Sequence, residues 1–381
     1  MQTEHALRVG DAAEMSAVAD ESVELVVTSP PYPMIEMWDD LFASRDPSIG
    51  AALERGDAEA AFERMHAQLD AVWDEVVRAL VPGGIVCVNV GDATRSVGGG
   101  FRQFPNHARI VDALTERGLR PLPDVLWRKP TNRLTKFMGS GMLPPSAYVT
   151  LEHEYVLIFR KGGTRAFPAG DRARYESAFF WEERNEWFSD LWELQGEGQS
   201  LSDSTDRERS GAFPLELPLR LIRMYSLYGD TVLDPFAGTG TTALAAMLAG
   251  RNSLGHELDA DLIAAFDERL SDLPRRSRER IAARLDRHRT FVAGCEERPS
   301  YEAVHYDFPV VTKQERRIRL YAVESVSERA TPTDDRGSRY VVEYVPVDGD
   351  SAADHGSPVD DGSAVDGTSP IDGDSPAGSG G

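Results

Sequence analysis

Short, nearly continuous apolar runs alternate along much of the chain with segments whose apolar residues recur at helical spacing. Runs of this kind, bounded by Gly, Pro or polar residues, are typical of strands that are buried on both faces of a parallel sheet. They predict an α/β fold with a mainly parallel sheet of seven strands. The predicted strands are 5–12, 23–28, 85–90, 122–127, 155–159, 231–234 and 251–257, and the predicted helices are 13–20, 63–80, 105–117, 218–227, 243–249 and 259–270.

Four regions depart from this alternation and set the predicted domain boundaries. Residues 34–70 are polar and amphipathic, which predicts a helical insertion within a main domain that covers residues 1–270. Residues 128–212 interrupt the same domain with polar segments that are candidates for target recognition. Residues 271–346 combine an arginine-rich helix with alternating segments that predict a small β appendage. Residues 347–381 are rich in Asp, Gly, Ser and Pro without Lys or Arg, which predicts a disordered acidic tail.

The predicted strand at 23–28 ends abruptly at two consecutive prolines. Proline donates no backbone hydrogen bond and biases the preceding residue toward extended geometry, so Ser29 and Pro30 should be held stiffly at the carboxyl edge of the sheet. In open α/β sheets this edge is where ligands bind. Ser29 offers a hydroxyl, Pro30 a carbonyl outside the strand ladder, and Tyr32 an aromatic face. Two acceptors beside a stacking surface suit a planar base with an exocyclic amine, which favours a functional site over a plain turn.

A second, glycine-rich motif follows the predicted strand at 231–234. Gly238 and Gly240 let the backbone approach a ligand, and the N-terminus of the following helix favours a negative group. Glu257 closes the next strand, 17 residues after Gly240, where a carboxylate takes ribose hydroxyls. The pattern also fits the looser dinucleotide fingerprint, but it lacks the lysine of a phosphate-binding P-loop. It therefore predicts an adenosine-bearing cofactor without saying which one.

The charge of the chain changes the expectation about its partners. The formal net charge is −22 and only four of the 41 basic residues are lysine, a balance that resembles proteins from salt-loving, halophilic cytoplasms. Under strong ionic screening, local basic segments rather than the global charge decide whether nucleic acid binds. Residues 128–141 carry four cations and no acid, which suits phosphate and base-edge contacts, although a solvated loop explains the segment equally well. The predicted DNA contacts are Arg128, Lys129, Asn132, Arg133 and Lys136.

Other features exclude some classes of protein. No run of 18 or more apolar residues is present, so no membrane span is expected. The N-terminus lacks a signal pattern, which predicts a cytoplasmic location. Cys87 and Cys295 have neither CxxC spacing nor a His cluster around them, so no metal site and no disulfide framework is predicted.

The two motifs together resemble those of the amino-DNA methyltransferases of the beta group, in which the catalytic motif precedes the cofactor motif. The matching segments are Thr28-Ser29-Pro30-Pro31-Tyr32 and Asp234-Pro235-Phe236-Ala237-Gly238-Thr239-Gly240-Thr241-Thr242. Ala212-Phe213-Pro214 and the helix after it are similar to the group's segment before the glycine loop, and the resemblance covers roughly residues 7–265. Serine at the first position of Ser29–Tyr32 resembles the cytosine-N4 branch more than the adenine-N6 branch.

The resemblance implies a circularly permuted, Rossmann-like methyltransferase sandwich. Strands 231–234, 251–257 and 7–10 would be neighbours, with strand 23–28 on the other side of 231–234. It implies S-adenosylmethionine as cofactor and double-stranded DNA as substrate, and it leaves a cognate restriction endonuclease open as a partner. The implied catalytic residues are Ser29, Pro30, Pro31 and Tyr32, and the implied cofactor-binding residues are Asp11, Phe213, Pro214, Asp234, Phe236, Ala237, Gly238, Thr239, Gly240, Thr241 and Glu257.

The chemistry of such an enzyme fits these residue types. Glu257 would take the ribose, Asp11 the adenine edge, and Phe213 would pack on the cofactor. Hydrogen bonds from the target amine to Ser29 Oγ and to the Pro30 carbonyl would aim its lone pair at the methyl donor for direct displacement. The base must leave the duplex to reach this position, where Tyr32 would stack on it. Carbon-5 methylation needs a cysteine nucleophile, and neither cysteine follows a proline in a suitable loop.

Three alternatives stay open from the sequence. The same enzyme could methylate adenine N6 instead of cytosine N4. The chain could be a non-catalytic DNA-binding relative that keeps the fold. It could also be a nicotinamide-dependent oxidoreductase that uses the glycine-rich loop, although this alternative leaves Ser29–Tyr32 without a role.

Overall fold

The computed structural model describes residues 1–129, 138–194, 213–329 and 336–348. Its strands are β1 (Gln2–Val9), β2 (Val23–Thr28), β3 (Leu80–Val90), β4 (Ala93–Val97), β5 (Gly100–Phe104), β6 (Leu119–Pro121), β7 (Val125–Arg128), β8 (Met138–Gly139), β9 (Ala147–Tyr148), β10 (His153–Lys161), β11 (Leu191–Glu193), β12 (Thr231–Asp234), β13 (Asn252–Glu257), β14 (Tyr301–Glu302), β15 (Pro309–Val310), β16 (Leu320–Arg329) and β17 (Gly337–Val347). Its helices are α1 (Asp39–Arg45), α2 (Pro47–Glu54), α3 (Ala58–Ala79), α4 (Asn106–Glu116), α5 (Arg172–Glu176), α6 (Trp181–Trp187), α7 (Glu216–Tyr225), α8 (Thr241–Ala249), α9 (Ala260–Ala264) and α10 (Leu273–Ala293), with short 3-10 turns at Glu36–Trp38, Asp267–Arg269 and Glu315–Arg317.

In the part of the chain that the structure describes, eleven strands form the central sheet. Their order is β11-β7-β10-β3-β2-β12-β13-β1-β17-β16, with β6 also paired to β10. The strands β3, β2, β12, β13 and β1 run parallel to one another. On either side of them, β10 and β17 run antiparallel to their neighbours. The carboxyl ends of the parallel strands and the start of β10 therefore meet at one edge of the sheet.

Apolar residues on both faces of the parallel strands hold the helices against the sheet. Leu25 and Val27 of β2 belong to the core that contains α7 and α8. Val26, between them, belongs to the opposite core, which contains α3 and α4. This alternation within a buried strand is what a double layer of helices requires. Because β2 is deeply buried on both faces, its position in the sheet is fixed. The position of the two prolines that follow it is therefore fixed as well.

The strand order confirms part of the prediction made from the sequence. The strand at 23–28 lies beside 231–234, followed by 252–257 and then 2–9, as the family resemblance implies for neighbouring strands. The prediction of seven strands is wrong, since the described residues alone form a sheet of eleven. The predicted β appendage supplies two of the added strands, because β17 pairs with β1 through the register from Gln2↔Glu343 to Arg8↔Gly337. Alternation in a sequence identifies a strand but does not name its partner.

The predicted helix at 13–20 is also wrong, since the structure has turns there. Met15 and Val18 direct their carbonyls to the guanidinium of Arg78, at 3.0 and 2.8 Å. The Met15 carbonyl also accepts from the Val18 N–H at 2.8 Å, so a turn and a side chain from α3 take the place of a helical ladder. The predicted domain division stays a prediction.

The arginine-rich helix α10 is partly turned inward. Arg284 is 7 % exposed and donates to Glu183 of α6 at 2.7 Å. His288, which is fully buried, lies 3.0 Å from a carboxylate oxygen of Glu182. Part of the cationic face of this helix therefore holds α6 and is withdrawn from any external phosphate.

Tyr344 joins the terminal hairpin to the core, and its hydroxyl group tests this attachment. The side chain is 4 % exposed and its hydroxyl donates to the Met247 carbonyl at 2.6 Å. We expect Tyr344→Phe to lower the free energy of unfolding by about 1 kcal/mol, because it removes a buried hydrogen bond. Urea denaturation measures the change. Tyr148→Phe is the control, since Tyr148 is 47 % exposed, and an equal loss in both variants would contradict the attachment.

Candidate active site

The residues after β2 and the residues after β12 meet at the same edge of the sheet. Thr28 and Asp234 end these two adjacent parallel strands, and Leu233 pairs with Val26. Thr28 Oγ1 donates a buried hydrogen bond to Asp234 Oδ1 at 2.6 Å, although the two residues are 206 positions apart in sequence. The segment Ser29–Tyr32, called the Pro-Pro tip below, therefore lies beside residues 235–240, called the glycine turn.

The glycine turn is shaped by two positive φ angles. Gly238 has φ +53° and Gly240 has φ +76°, a region that side chains rarely adopt. A Cβ on Gly240 would lie 2.4 Å from the ring of Phe266, so glycine there permits close packing. A Cβ on Gly238 would meet no atom within 4 Å, so that face of the turn is open. The turn thus presents exposed backbone next to the N-terminus of α8.

Several polar contacts hold the glycine turn in this shape. The Phe236 N–H donates to Asp234 Oδ1 at 3.1 Å, and the Gly240 N–H donates to the Ala237 carbonyl at 2.8 Å. The guanidinium of Arg269 donates to Thr239 Oγ1 and Thr241 Oγ1, each at 3.1 Å. The predicted cofactor residues from Asp234 to Thr241 are therefore brought together in one rigid segment.

Glu257 is fixed at the end of the neighbouring strand. Its carboxylate accepts from the Gly238 N–H at 2.8 Å and from the Asp259 N–H at 3.1 Å. Its carbonyl accepts from the Gly10 N–H at 2.9 Å, which ties the end of β1 to the same place. Two oxygens of a carboxylate still have lone pairs free after these bonds. Glu257 can therefore accept two further hydrogen bonds beside the open face of Gly238.

Asp11 lies next to this group, as the sequence predicts, but it is already engaged. Its carboxylate forms an ion pair with Arg45 of α1 and accepts from the Ala13 N–H at 3.0 Å. Burial opposes its charge, but these partners outweigh burial and lower the pKa of Asp11. Its contact with an adenine stays a prediction, and such a contact would share the carboxylate with Arg45.

Phe213 and Pro214 lie just before α7. Phe213 is 7 % exposed and belongs to the core that includes Ala237. The Pro214 carbonyl accepts from the Leu217 N–H at 3.0 Å and so begins the turn into the helix. Their contact with the cofactor stays a prediction.

The Pro-Pro tip is anchored through its tyrosine. Pro30 is buried, whereas Ser29, Pro31 and Tyr32 are half-buried. Ser29 Oγ lies 2.9 Å from Tyr32 Oη. Tyr32 Oη donates to Glu154 Oε2 at 3.0 Å and accepts from Asn89 Nδ2 at 2.9 Å. The tip therefore has fixed polar contacts on the side of β3 and β10.

Sequence reasoning missed Asn89 and Glu154. Asn89 is the one polar residue within the predicted strand 85–90, which is a usable signal. Glu154 reaches the tip because β10 runs antiparallel to β3 and pairs Tyr155 with Val90. No local pattern predicts that register. Within the described residues the site therefore extends across six strands, of which the sequence located the carboxyl ends of four, namely β2, β3, β12 and β13.

Two of the predicted DNA contacts are described, and both are ion-paired within the protein. Arg128 lies 3.1 Å from Glu193 and 3.7 Å from Glu152. Lys129 pairs with Glu154, and its ammonium lies 4.4 Å from the centre of the Trp127 ring. The remaining predicted contacts, Asn132, Arg133 and Lys136, lie outside the described residues. A role in DNA binding stays a prediction for all five.

The electrostatics of the site follow from burial. Burial raises the pKa of Asp234 to about 6, although the hydroxyls of Thr242 and Thr28 favour its charged form. Burial, followed by the charge of Glu154, raises the pKa of Tyr32 well above 10.0, so its hydroxyl keeps its proton at neutral pH. Among the residues that the structure describes, no group of three or more His, Cys, Asp or Glu side chains could hold a metal ion. No helix in the same ranges is long and apolar enough to cross a membrane.

Comparison with known proteins decides what this arrangement belongs to. The family model N6_N4_Mtase, described as DNA methylase, matches residues 23–268. The chain belongs to this DNA methylase family. It is 49 % identical over 325 residues to the type II methyltransferase M.MthZI of Methanothermobacter thermautotrophicus, which covers 84 % of this chain and 91 % of the relative. It is 50 % identical over 279 residues to the type II methyltransferase M.MjaI of Methanocaldococcus jannaschii, with 70 % and 91 % covered.

A solved structure shows the same fold as this DNA methylase. The putative DNA modification methylase TTHA0409 of Thermus thermophilus, crystallised with S-adenosyl-L-methionine, is 34 % identical, with a TM-score of 0.55 over 70 % of this chain and 92 % of that one. The predicted methyltransferase fold is thereby confirmed. Its circular permutation stays a prediction.

The raised pKa of Asp234 predicts how stability depends on pH. Asp234 is protonated in the folded protein up to pH about 6 but ionises in the unfolded chain above its ordinary 3.8. Its neutral form therefore favours folding at low pH, and this contribution is lost as pH rises through 6. Relative to Asp234→Asn, the wild-type free energy of unfolding should fall by about 2 kcal/mol between pH 4 and pH 7. Urea denaturation of both proteins across this range measures the difference, and a constant difference would contradict the shift.

Proposed function

We propose that this chain is a site-specific DNA methyltransferase that moves a methyl group from S-adenosylmethionine to the exocyclic N4 amine of cytosine in duplex DNA. Membership of the DNA methylase family supports the class of reaction. The observation that carries the proposal is the hydrogen bond from Thr28 to Asp234, because it places the Pro-Pro tip beside the glycine turn. An acceptor for the target amine and a cofactor site must be neighbours for direct transfer.

The residues of the glycine turn fit the proposed cofactor. S-adenosylmethionine, when bound, supplies an electrophilic methyl group. Glu257 has free lone pairs for two ribose hydroxyls, and Gly238 leaves open space beside it. Asp234, buried between the two motifs, supplies negative charge near the tip. Asp11, Phe213 and Pro214 complete the proposed cofactor site from the neighbouring strand and helix.

The Pro-Pro tip binds the target base in this proposal. Ser29 Oγ and the Pro30 carbonyl accept hydrogen bonds from the amine, which favours a tetrahedral nitrogen with its lone pair free. Pro31 keeps this backbone extended, and Tyr32 contacts the base after it has left the duplex. The chain's contribution to the rate is therefore positioning of the amine rather than covalent catalysis. Cytosine is preferred to adenine because the tip begins with serine.

The DNA and its wider context follow from the same proposal. Arg128, Lys129, Asn132, Arg133 and Lys136 contact the phosphates and base edges, and residues 128–212 read the target sequence. Since both relatives are named type II methyltransferases, a cognate restriction endonuclease is the proposed partner in a restriction-modification system.

Analysis of modified nucleosides tests the base. Plasmid DNA from cells that express this protein should contain N4-methylcytosine, while DNA from cells that express Ser29→Ala should contain little of it. Sequencing of the same DNA gives the target site. If the DNA contains N6-methyladenine in place of N4-methylcytosine, the enzyme belongs to the adenine-N6 branch. If the DNA is unmodified and the protein does not bind the cofactor, the proposal that it is an enzyme is rejected.

A substitution of Ser29 separates an effect on cofactor binding from an effect on turnover. Because Ser29 contacts the target amine and lies outside the glycine turn, Ser29→Ala should lower turnover about 100-fold and leave cofactor affinity within about twofold. Radiolabelled methyl transfer measures turnover, and calorimetric titration measures affinity. A loss of affinity with unchanged turnover per bound cofactor would exclude a catalytic role for Ser29.

A further inference from the structure

A continuous set of polar contacts runs behind Ser29. Lys129 pairs with one oxygen of Glu154, and the other oxygen of Glu154 accepts from Tyr32 Oη at 3.0 Å. Asn89 Nδ2 donates to both ends of that second contact, at 2.7 Å to Glu154 and 2.9 Å to Tyr32. Tyr32 Oη then lies 2.9 Å from Ser29 Oγ. Glu154 receives three donors, which is the environment of an ionised carboxylate.

Counting protons along these contacts fixes the direction of the last one. A tyrosine hydroxyl has one hydrogen, and facing an ionised carboxylate it must point that hydrogen at Glu154. The two hydrogens of Asn89 Nδ2 go to Glu154 and to Tyr32. The contact between Ser29 and Tyr32 therefore has one hydrogen available, that of Ser29. Ser29 donates backward to Tyr32, and its lone pairs remain for the substrate.

We propose that Glu154, acting through Tyr32, is a positioning residue that keeps Ser29 a hydrogen-bond acceptor and so makes the site select an exocyclic amine over a carbonyl at the same place. Cytosine carries an amine where uracil and thymine carry an oxygen. A Ser29 hydroxyl that can only accept a hydrogen bond attracts the amine of cytosine and repels the carbonyl oxygen of uracil or thymine. This inference rests on the proposed function. It adds that the Pro-Pro tip rejects bases with a carbonyl oxygen in place of the amine.

Two further observations agree with a built network. A Cβ on Gly91 would lie 3.2 Å from both the Tyr32 ring and the Glu154 side chain, so glycine there lets the two approach. Asn89 is 2 % exposed, and its Oδ1 has no hydrogen-bond partner among the described residues. A buried amide oxygen without a protein partner calls for a water or a ligand as its donor.

The test replaces Glu154 with glutamine. An oxygen of the amide would stay toward Lys129, so its NH2 would face Tyr32 and donate to Oη. Tyr32 would then direct its hydrogen to Ser29, whose own hydrogen would point at the base. Methyl transfer to unmodified genomic DNA should fall about 10- to 100-fold in kcat, while cofactor affinity from calorimetric titration stays within about twofold.

A double-mutant cycle separates positioning from general support. Tyr32→Phe removes the hydroxyl through which Glu154 acts, so adding Glu154→Gln to it should lower kcat by less than about twofold more. Losses that multiply would overturn the inference. Glu24→Gln is the matched control, since Glu24 is a half-buried carboxylate of β2 that accepts from the Thr231 N–H at 2.8 Å away from the tip. This variant should keep wild-type kcat.

Base selection gives a readout without turnover. Fluorescence anisotropy compares binding of a target duplex with the same duplex carrying uracil in place of the target cytosine. A uracil opposite guanine is mismatched and flips more easily with either protein, so the readout is the ratio of cytosine to uracil affinity. This ratio should be about tenfold lower for Glu154→Gln than for wild type. An unchanged preference in an active wild-type background would reject the role of Glu154 and leave the proposed function standing. If wild type transfers no methyl group to DNA at all, the proposed function fails first.

Discussion

One hydrogen bond, from Thr28 to Asp234, joins the two motifs on which the site depends. Both partners end adjacent parallel strands. The bond therefore follows from the register of these strands and not from a chance contact of two loops. Burial of both side chains strengthens the bond and makes its loss costly. Every other part of the site is arranged around this junction, with the glycine turn on one side and the Pro-Pro tip on the other.

Residues that end strands made much of this site predictable from the sequence. Apolar runs that end at Pro, Gly or an acidic residue mark the ends of buried parallel strands, and in this fold those ends meet. Val23–Thr28, Thr231–Asp234 and Asn252–Glu257 were therefore located from sequence, whereas their order in the sheet came from the resemblance to the methyltransferase family. The prolines and glycines that follow these strands have backbone requirements that do not depend on distant residues.

The parts that sequence missed depend on partners far along the chain. Glu154 faces Tyr32 only because β10 pairs antiparallel with β3. The spacing of residues in the sequence does not predict this pairing. The terminal hairpin was predicted as an appendage for the same reason, since its alternation fits a free β unit as well as an added edge of the main sheet. The turns at residues 13–20 replaced a predicted helix because Arg78, from another element, binds their carbonyls.

The placement of β1 has a consequence for how the chain is made. This strand pairs with β13 on one side and β17 on the other, so His5 meets Ser253 and Gln2 meets Glu343. Both partners of β1 come later in sequence, so its two edges must stay unpaired until those segments have been synthesised. Unpaired strands invite aggregation, and contacts this distant in sequence slow folding. During synthesis β1 is thus exposed to wrong pairing well before the residues of the site come together.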